Sequence, residues 1–215
     1  MKIIKISILM ACFLLIVSCA TEDRNRNYAD TNLSGRVLAE QVCSACHGVT
    51  GQSISPQFPK LAGQQKDYLL GQLIDFKGHQ RQDRMGKEYM WGFSKLTLKQ
   101  VDELAQYFSQ QTPMVGQFAN NGVLMQRGEI IFKEGIPTTG VIPCSACHGP
   151  EGTGNGPIPR IAGQHADYLE KQIEIFKNTN LRPRGDAMKE VTHQLTKKDM
   201  LAVVTYIGSL NSVAP

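Results

Sequence analysis

The chain has 215 residues, 23 Lys and Arg against 19 Asp and Glu, a net charge of +4, and 41% hydrophobic residues. That length holds one or two domains, and the composition excludes wholesale disorder. A charge so balanced, with no basic run, excludes a nucleic-acid binder, while aromatics at 7% leave small cores in need of another filler.

Met1 to Lys5 is a short basic start, and Ile6 to Val17 is almost continuously apolar. This is the pattern of a secretory signal, residues 1–18, and it is too short for a comfortable membrane span. Ile16-Val17-Ser18-Cys19 resembles a bacterial lipobox, so Cys19 is expected to carry diacylglycerol and to tether the protein to a membrane facing the periplasm. Residue 20 is Ala, not the Asp that commonly retains lipoproteins in the inner membrane, which leaves both membranes open. Loss of Lys2 and Lys5 with the signal leaves 21 basic against 19 acidic residues. Residues 19–32 are polar and are expected to form a flexible tether.

The remainder repeats itself. Cys43-Ser-Ala-Cys46-His47-Gly48 returns as Cys144-Ser-Ala-Cys147-His148-Gly149, and Phe58-Pro-Lys-Leu-Ala-Gly-Gln64 as Ile158-Pro-Arg-Ile-Ala-Gly-Gln164. Asp67-Tyr68-Leu69, Gln72, Phe76-Lys77, Leu96-Thr97 and Tyr107 recur about 100 residues on, at Asp167-Tyr168-Leu169, Gln172, Phe176-Lys177, Leu195-Thr196 and Tyr206. The chain therefore reads as two homologous units, residues 33–109 and 123–215, joined by a linker over 110–122 rich in Gly, Pro and Asn.

Each unit reads as helical. Ser34 is placed to cap a helix over Gly35 to Val42. Lys66 to Phe76 carries Tyr68, Leu69, Leu73 and Phe76 at helical spacing. Thr97 with Gln100 fits a capping box before the stripe Val101, Leu104, Ala105 and Phe108. Unit 2 repeats these over Gly128 to Lys133, His165 to Phe176 and Thr196 to Leu210. No stretch alternates as a strand, so the expected class is all-α.

Cys-x-x-Cys-His reads as c-type haem attachment. Two thiols three residues apart can add to the two vinyl groups of one haem, and the adjacent histidine then lies under the iron. Cys43, Cys46 and His47 are assigned to one haem, and Cys144, Cys147 and His148 to a second. A dithiol redox pair lacks its βαβ context, a shared zinc site would need both repeats around one metal, and a disulfide does not explain the repeated histidine. Covalent haem would also supply the missing core, so the apo chain is expected to be largely unfolded.

The sixth ligands are assigned to Met90 and Met188, which precede Leu96 and Leu195 by six and seven residues. Met85 competes with Met90. Met114 and Met125 fall in or after the linker, and Met200 is read as core packing. His79 and His193 occupy different places in their repeats, which disfavours bis-His ligation. His165 is read as a surface residue. The carbonyls of Pro59 and Pro159 are candidate acceptors for the second ring nitrogen of each proximal histidine. Thioether ligation favours ferrous iron and closes the iron to oxygen or peroxide. Lys60, Lys66, Lys77, Arg160, Lys171 and Lys177 are read as solvated charges that could also ring the haem edges.

With these residues in place the chain resembles the cytochrome c4 family of dihaem cytochromes over about residues 33–212. The resemblance implies two tandem class I cytochrome c domains related by a pseudo-twofold axis, each wrapped around one haem c with His/Met ligation. It implies electron transfer without a small-molecule substrate, between a protein donor and acceptor, with a terminal oxidase as one acceptor. Two other functions are weighed: an electron-accepting subunit of a periplasmic dehydrogenase, and a dihaem peroxidase, which would need one open iron. Pro137 to Pro143 lengthen the approach to the second motif relative to the family.

Overall fold

The computed structural model describes residues 27–117 and 122–211; the signal and Cys19 lie outside them. Every extended element among the described residues is helical, and pairing outside helices is limited to two isolated bridges. Unit 1 contains α1 (Gly35–Leu38), α2 (Ser44–His47), α3 (Lys66–Lys77) and α4 (Leu98–Ser109). Unit 2 contains α5 (Gly122–Glu134), α6 (Ser145–His148), α7 (Ala166–Asn178), α8 (Asp186–Thr192) and α9 (Lys197–Ser209).

Local sequence accounts for the ends of these helices. Ser34 Oγ accepts the Val37 N–H at the start of α1. The capping box at Thr97 is complete: its side chain accepts the Gln100 N–H while the Gln100 side chain accepts the Thr97 N–H. Thr196 caps α9 through the Asp199 N–H.

In each unit the first and last helices cross at a glycine. A Cβ on Gly35 would stand 2.4 Å from Glu103 Cβ, and one on Gly128 would stand 2.2 Å from the Ala202 carbonyl oxygen. Both distances are below van der Waals contact, so only glycine permits the approach. Around the crossings lie two cores, one of Leu38, Leu69, Leu96, Val101, Leu104 and Phe108, the other of Ile131, Phe132, Leu169, Ile173, Leu195, Val203 and Ile207. Met200 joins the second core at 4% exposure, as its helical register implies.

The units differ in how the first helix reaches its cysteines. In unit 1, α1 runs through a π-helical turn, Ala39–Cys43, directly into α2. In unit 2 the added residues leave the helix at Gly135, whose φ is +76°, and close a small loop by the Ile136–Val141 bridge before Cys144. Gly135 is obligatory there, since a Cβ would meet the Val141 oxygen at 2.2 Å.

The predicted tether and the predicted linker are both packed in part. From Asn27 onward the tether is turned and docked, because Gln100 Nε2 donates to the carbonyls of both Asp30 and Leu33. The first half of the linker is equally fixed: Met114 is 1% exposed, its N–H donates to Ala62, and the Gln117 N–H donates to Gly208. Polar composition announced exposed chain, but the exposed carbonyls found donors in the folded units.

Candidate haem sites and the interface between them

Each Cys-x-x-Cys-His segment forms one wall of a cavity. In unit 1 the cavity is lined by Cys43, Cys46, His47, Leu69, Phe76, Met85, Met90 and Phe93, among others. In unit 2 it is lined by Cys144, Cys147, His148, Leu169, Phe176, Met188, Leu195 and Val203, among others. Cys43 and Cys144 are half-buried at the floor, and Cys46 and Cys147 are exposed at the rim. Burial pushes the Cys43 thiol up to about 12 and the Cys144 thiol up to about 11. Thiols held so fully protonated are unsuited to dithiol redox chemistry.

The proximal histidines are fixed alike. His47 Nδ1–H donates to the Pro59 carbonyl and His148 Nδ1–H to the Pro159 carbonyl, both at 2.9 Å. This leaves Nε2 of each ring available to the cavity. Burial lowers both pKa values, against the opposing effect of the proline carbonyls, and so favours the neutral imidazole a metal requires.

Met85 and Met90 both line the first cavity and Met188 the second, all half-buried. Met90 lies at the junction of a π-helical turn, Gly86–Met90, and a 3₁₀ turn, Trp91–Lys95, whereas Met188 lies within α8. His79 and His193 are exposed and line neither cavity; His79 stacks on Trp91 at 4.5 Å, and His193 Nδ1–H donates to Glu190.

Between the cavities lies a polar interface built twice over. Gln64 Oε1 accepts the Arg160 N–H at 2.7 Å, and its Nε2 donates to the Arg160 carbonyl at 2.8 Å. Gln164 does the same to Lys60, both at 2.9 Å. His165 Nε2–H donates to the Ser53 carbonyl, and its repeat partner Gln65 donates to the Thr153 carbonyl, again both at 2.9 Å. Such reciprocity is the signature of a twofold contact. Beside it, Arg81 and Arg182 share the side-chain carbonyls of Gln72 and Gln172, so that each carbonyl accepts from both guanidiniums. Arg81 lies over the Phe76 ring at 4.6 Å and Arg182 over Phe176 at 4.7 Å.

Two readings change here. Lys60 and Arg160 are not solvated charges but are 6% and 2% exposed, and Lys60 Nζ donates to the Gly163 carbonyl. His165 is 3% exposed, not a surface residue. Lys171 stays exposed and reaches from unit 2 to the unit 1 cavity, a charge at a haem edge. Lys66 does remain at the surface, paired with Asp102 at 2.8 Å, while Lys77 and Lys177 reach the carbonyls of Ser94 and Leu195.

These walls fit a large apolar group with an anionic edge. The cavities are apolar over most of their lining, each has two thiols and a neutral imidazole on one side, and Arg81 and Arg182 face them from the interface. Arg182 Nε is buried with no hydrogen-bond partner, a donor suited to an anion.

Comparison with known proteins accords with this geometry. The family model for cytochrome c matches residues 33–112 and 126–211. Cytochrome c4 of Azotobacter vinelandii is 37% identical over 180 residues, covering 79% of this chain and 85% of that protein. The crystal structure of reduced recombinant cytochrome c4 from Pseudomonas stutzeri superposes with a TM-score of 0.74 at 36% identity, covering 82% of this chain and 97% of that one. A thiosulfate dehydrogenase electron acceptor of Thiomonas intermedia is 36% identical over 174 residues, 78% of this chain and 77% of that protein. The chain thus belongs to the cytochrome c family, as an all-α protein of two tandem class I domains. It is a dihaem cytochrome of the cytochrome c4 kind, with two covalently bound haem c groups and the role of an electron carrier, not an enzyme.

The interface was missed in the sequence although its signal was there. Gln64, Tyr68 and Gln72 are identical in the two repeats, and Arg81 and Arg182 stand at the same offset as the cysteines. Identity between repeats marks a shared twofold contact as readily as a shared cofactor.

One pH effect follows from His165. Burial, followed by the charge of Lys60, lowers its pKa below the usual histidine value, and the Ser53 carbonyl only partly opposes this. A histidine with a depressed folded pKa binds more protons when unfolded, so its share of stability is present above about pH 6.5 and is lost as pH falls through the folded value. His165→Gln copies the residue at position 65 and retains a donor for Ser53. Denaturation midpoints of this variant should fall less between pH 7.5 and pH 5 than those of the parent.

Proposed function

We propose that the protein is a membrane-tethered periplasmic carrier that passes single electrons between a protein donor and acceptor, with a terminal oxidase as the acceptor class. Cys43 and Cys46, and Cys144 and Cys147, would hold the haems as thioethers; His47 with Met90, and His148 with Met188, would ligate the irons. Haem c, when bound, supplies a reversible one-electron iron couple at each site. The chain's own part is to hold each histidine neutral through Pro59 or Pro159, to close the opposite side with a thioether, and to exclude water with apolar walls. The observation that carries this reading is that a carbonyl-fixed histidine and a methionine line each of two matched cavities together with the two cysteines. Cys19, with its lipid, is the membrane anchor.

Spectroelectrochemical titration of the holoprotein tests the ligands. Two low-spin haems with the weak red charge-transfer band are expected. Met90→Leu and Met188→Leu should each remove about half of that band and lower one potential by a sizeable part of the ~0.8 V range that axial ligands span. Loss of the band on Met85→Leu instead would transfer the role to Met85. A Cys19→Ser chain that still takes up labelled fatty acid would refute the anchor.

A second reading, the electron-accepting partner of a periplasmic dehydrogenase, is supported by the likeness to the Thiomonas thiosulfate dehydrogenase electron acceptor. Reduction by a dehydrogenase and its substrate at rates exceeding those of free exchange would favour it.

A further inference from the structure

The segment entering unit 1 lies across the methionine side of the first cavity. Tyr28 lines that cavity together with Met85, Met90 and Phe93. Its ring meets Phe93 edge-on at 5.3 Å, three residues after Met90. The hydroxyl stands over Gly92, 3.9 Å from where a Cβ would lie. The backbone behind it is held from the opposite side. Gln100 is 2% exposed, is locked by the capping box of α4, and donates to the carbonyls of Asp30 and Leu33 at 2.9 and 3.0 Å. A side-chain amide inside the unit thus straps the incoming chain down and presses an aromatic ring onto the turn after Met90.

The turn needs such a brace. Met90 sits at the joint of two short irregular turns, not in a regular helix. The other braces, from Trp91 Nε1 to the Arg81 carbonyl and from Lys77 Nζ to the Ser94 carbonyl, hold the ends of the 3₁₀ turn. Tyr28 holds its middle. In unit 2 Met188 lies within the regular helix α8, whose N-cap, Gly185, packs against the Phe176 ring. The chain entering unit 2 is committed elsewhere, with Gly116 N–H donating to Asn211 and Gln117 N–H to Gly208.

We infer that Tyr28 is a positioning residue for the haem 1 methionine, and that the strap from residue 27 to residue 33 keeps the Met90 turn closed over the first cavity. This rests on the assignment of Met90 as ligand. The role belongs to the ring, whose edge-on contact with Phe93 is the interaction that holds the turn.

The test is imidazole binding to the ferric holoprotein, read from the red charge-transfer band. Tyr28→Ala should raise the imidazole affinity of one haem about three- to tenfold, the range an edge-to-face aromatic pair is worth, and leave the other unchanged. Tyr28→Phe should restore the parent value. Met90→Leu identifies the haem concerned and checks the underlying assignment. If Met90→Leu removes half the band while Tyr28→Ala binds imidazole as the parent does, the strap is refuted and the ligand stands. If Met90→Leu leaves the whole band, the ligand assignment fails and the strap's proposed purpose with it. Equal loosening of both haems by Tyr28→Ala would also overturn the proposal.

Discussion

Replacing Gln164 with Leu is expected to be among the most damaging single changes outside the haem motifs, at about 3–9 kcal/mol. The estimate counts what the amide satisfies. It accepts from the N–H groups of Lys60 and His165 and donates to the Lys60 carbonyl, all at sites closed to solvent. Leu fills a similar volume but leaves three buried polar groups without partners, each costing roughly 1–3 kcal/mol. Gln64→Leu should behave alike, since Gln64 serves the N–H groups of Arg160 and Gln65 and the Arg160 carbonyl. Hydrogen exchange of the holoprotein gives the local readout: the amide of Lys60 in the Gln164 variant, or of Arg160 in the Gln64 variant, should exchange at least about a hundredfold faster. Protection within tenfold of the parent would mean that water or a rearranged neighbour replaces the amide.

The second large effect concerns potentials. Arg81 and Arg182 occupy equivalent places, but their surroundings differ in charge. Arg81 Nε is paired with Asp83 at 2.6 Å, both groups almost wholly buried. At the matching position of unit 2 stands Arg184, which reaches back to Asp75 of unit 1 at 2.9 Å. Asp83 therefore offsets the first guanidinium through a direct ion pair and acts on Arg182 only more weakly, without one. Burial alone would raise the Asp83 pKa, yet the charge and hydrogen bond of Arg81 hold it below the usual range, so Asp83 is ionised at neutral pH. A buried unit charge near a redox centre changes the free energy of reduction by about 1–2 kcal/mol at an effective dielectric near 20. For one electron that is about 40–90 mV, on a scale of 59 mV per tenfold change in equilibrium constant. Arg182→Gln should lower the potential of haem 2 by that order and affect haem 1 less. Asp83→Asn should raise the potential of haem 1. Equal shifts at both haems, or shifts of opposite sign, would show that the two arginines do not act as separate local charges.

The parts of this molecule that follow local rules were legible in the sequence. The Cys-x-x-Cys-His pairs, the capping box at Thr97 and the core stripe of α4 each depend on residues a few positions apart. The carbonyls of Pro59 and Pro159, 12 and 11 residues after the histidines, were legible because the Pro-[Lys/Arg] segments match between the repeats. What could not be read was decided by the second unit. Lys60, Arg160 and His165 look like surface residues until another repeat covers them, and burial then supplies carbonyl partners that no local pattern announces. The segment from Asn27 to Asn32 is polar enough to pass for a tether, and its docking depends on an amide 70 residues away in sequence. The choice between Met85 and Met90 is likewise not a matter of spacing, because both reach the same cavity wall.

The reciprocal amides make the two halves behave as a dimer whose subunits happen to share one chain. Between free partners such a contact would be subject to dilution. Covalent connection removes dilution from the problem, because a short linker supplies an effective concentration on the order of millimolar. Here the linker is itself packed, with Met114 buried and Gly163 pressed against its backbone. The separation of the two iron sites is then a constant of the chain, independent of how much protein the periplasm holds. Exchange between the haems is a first-order event, and only the encounters with donor and acceptor remain subject to concentration.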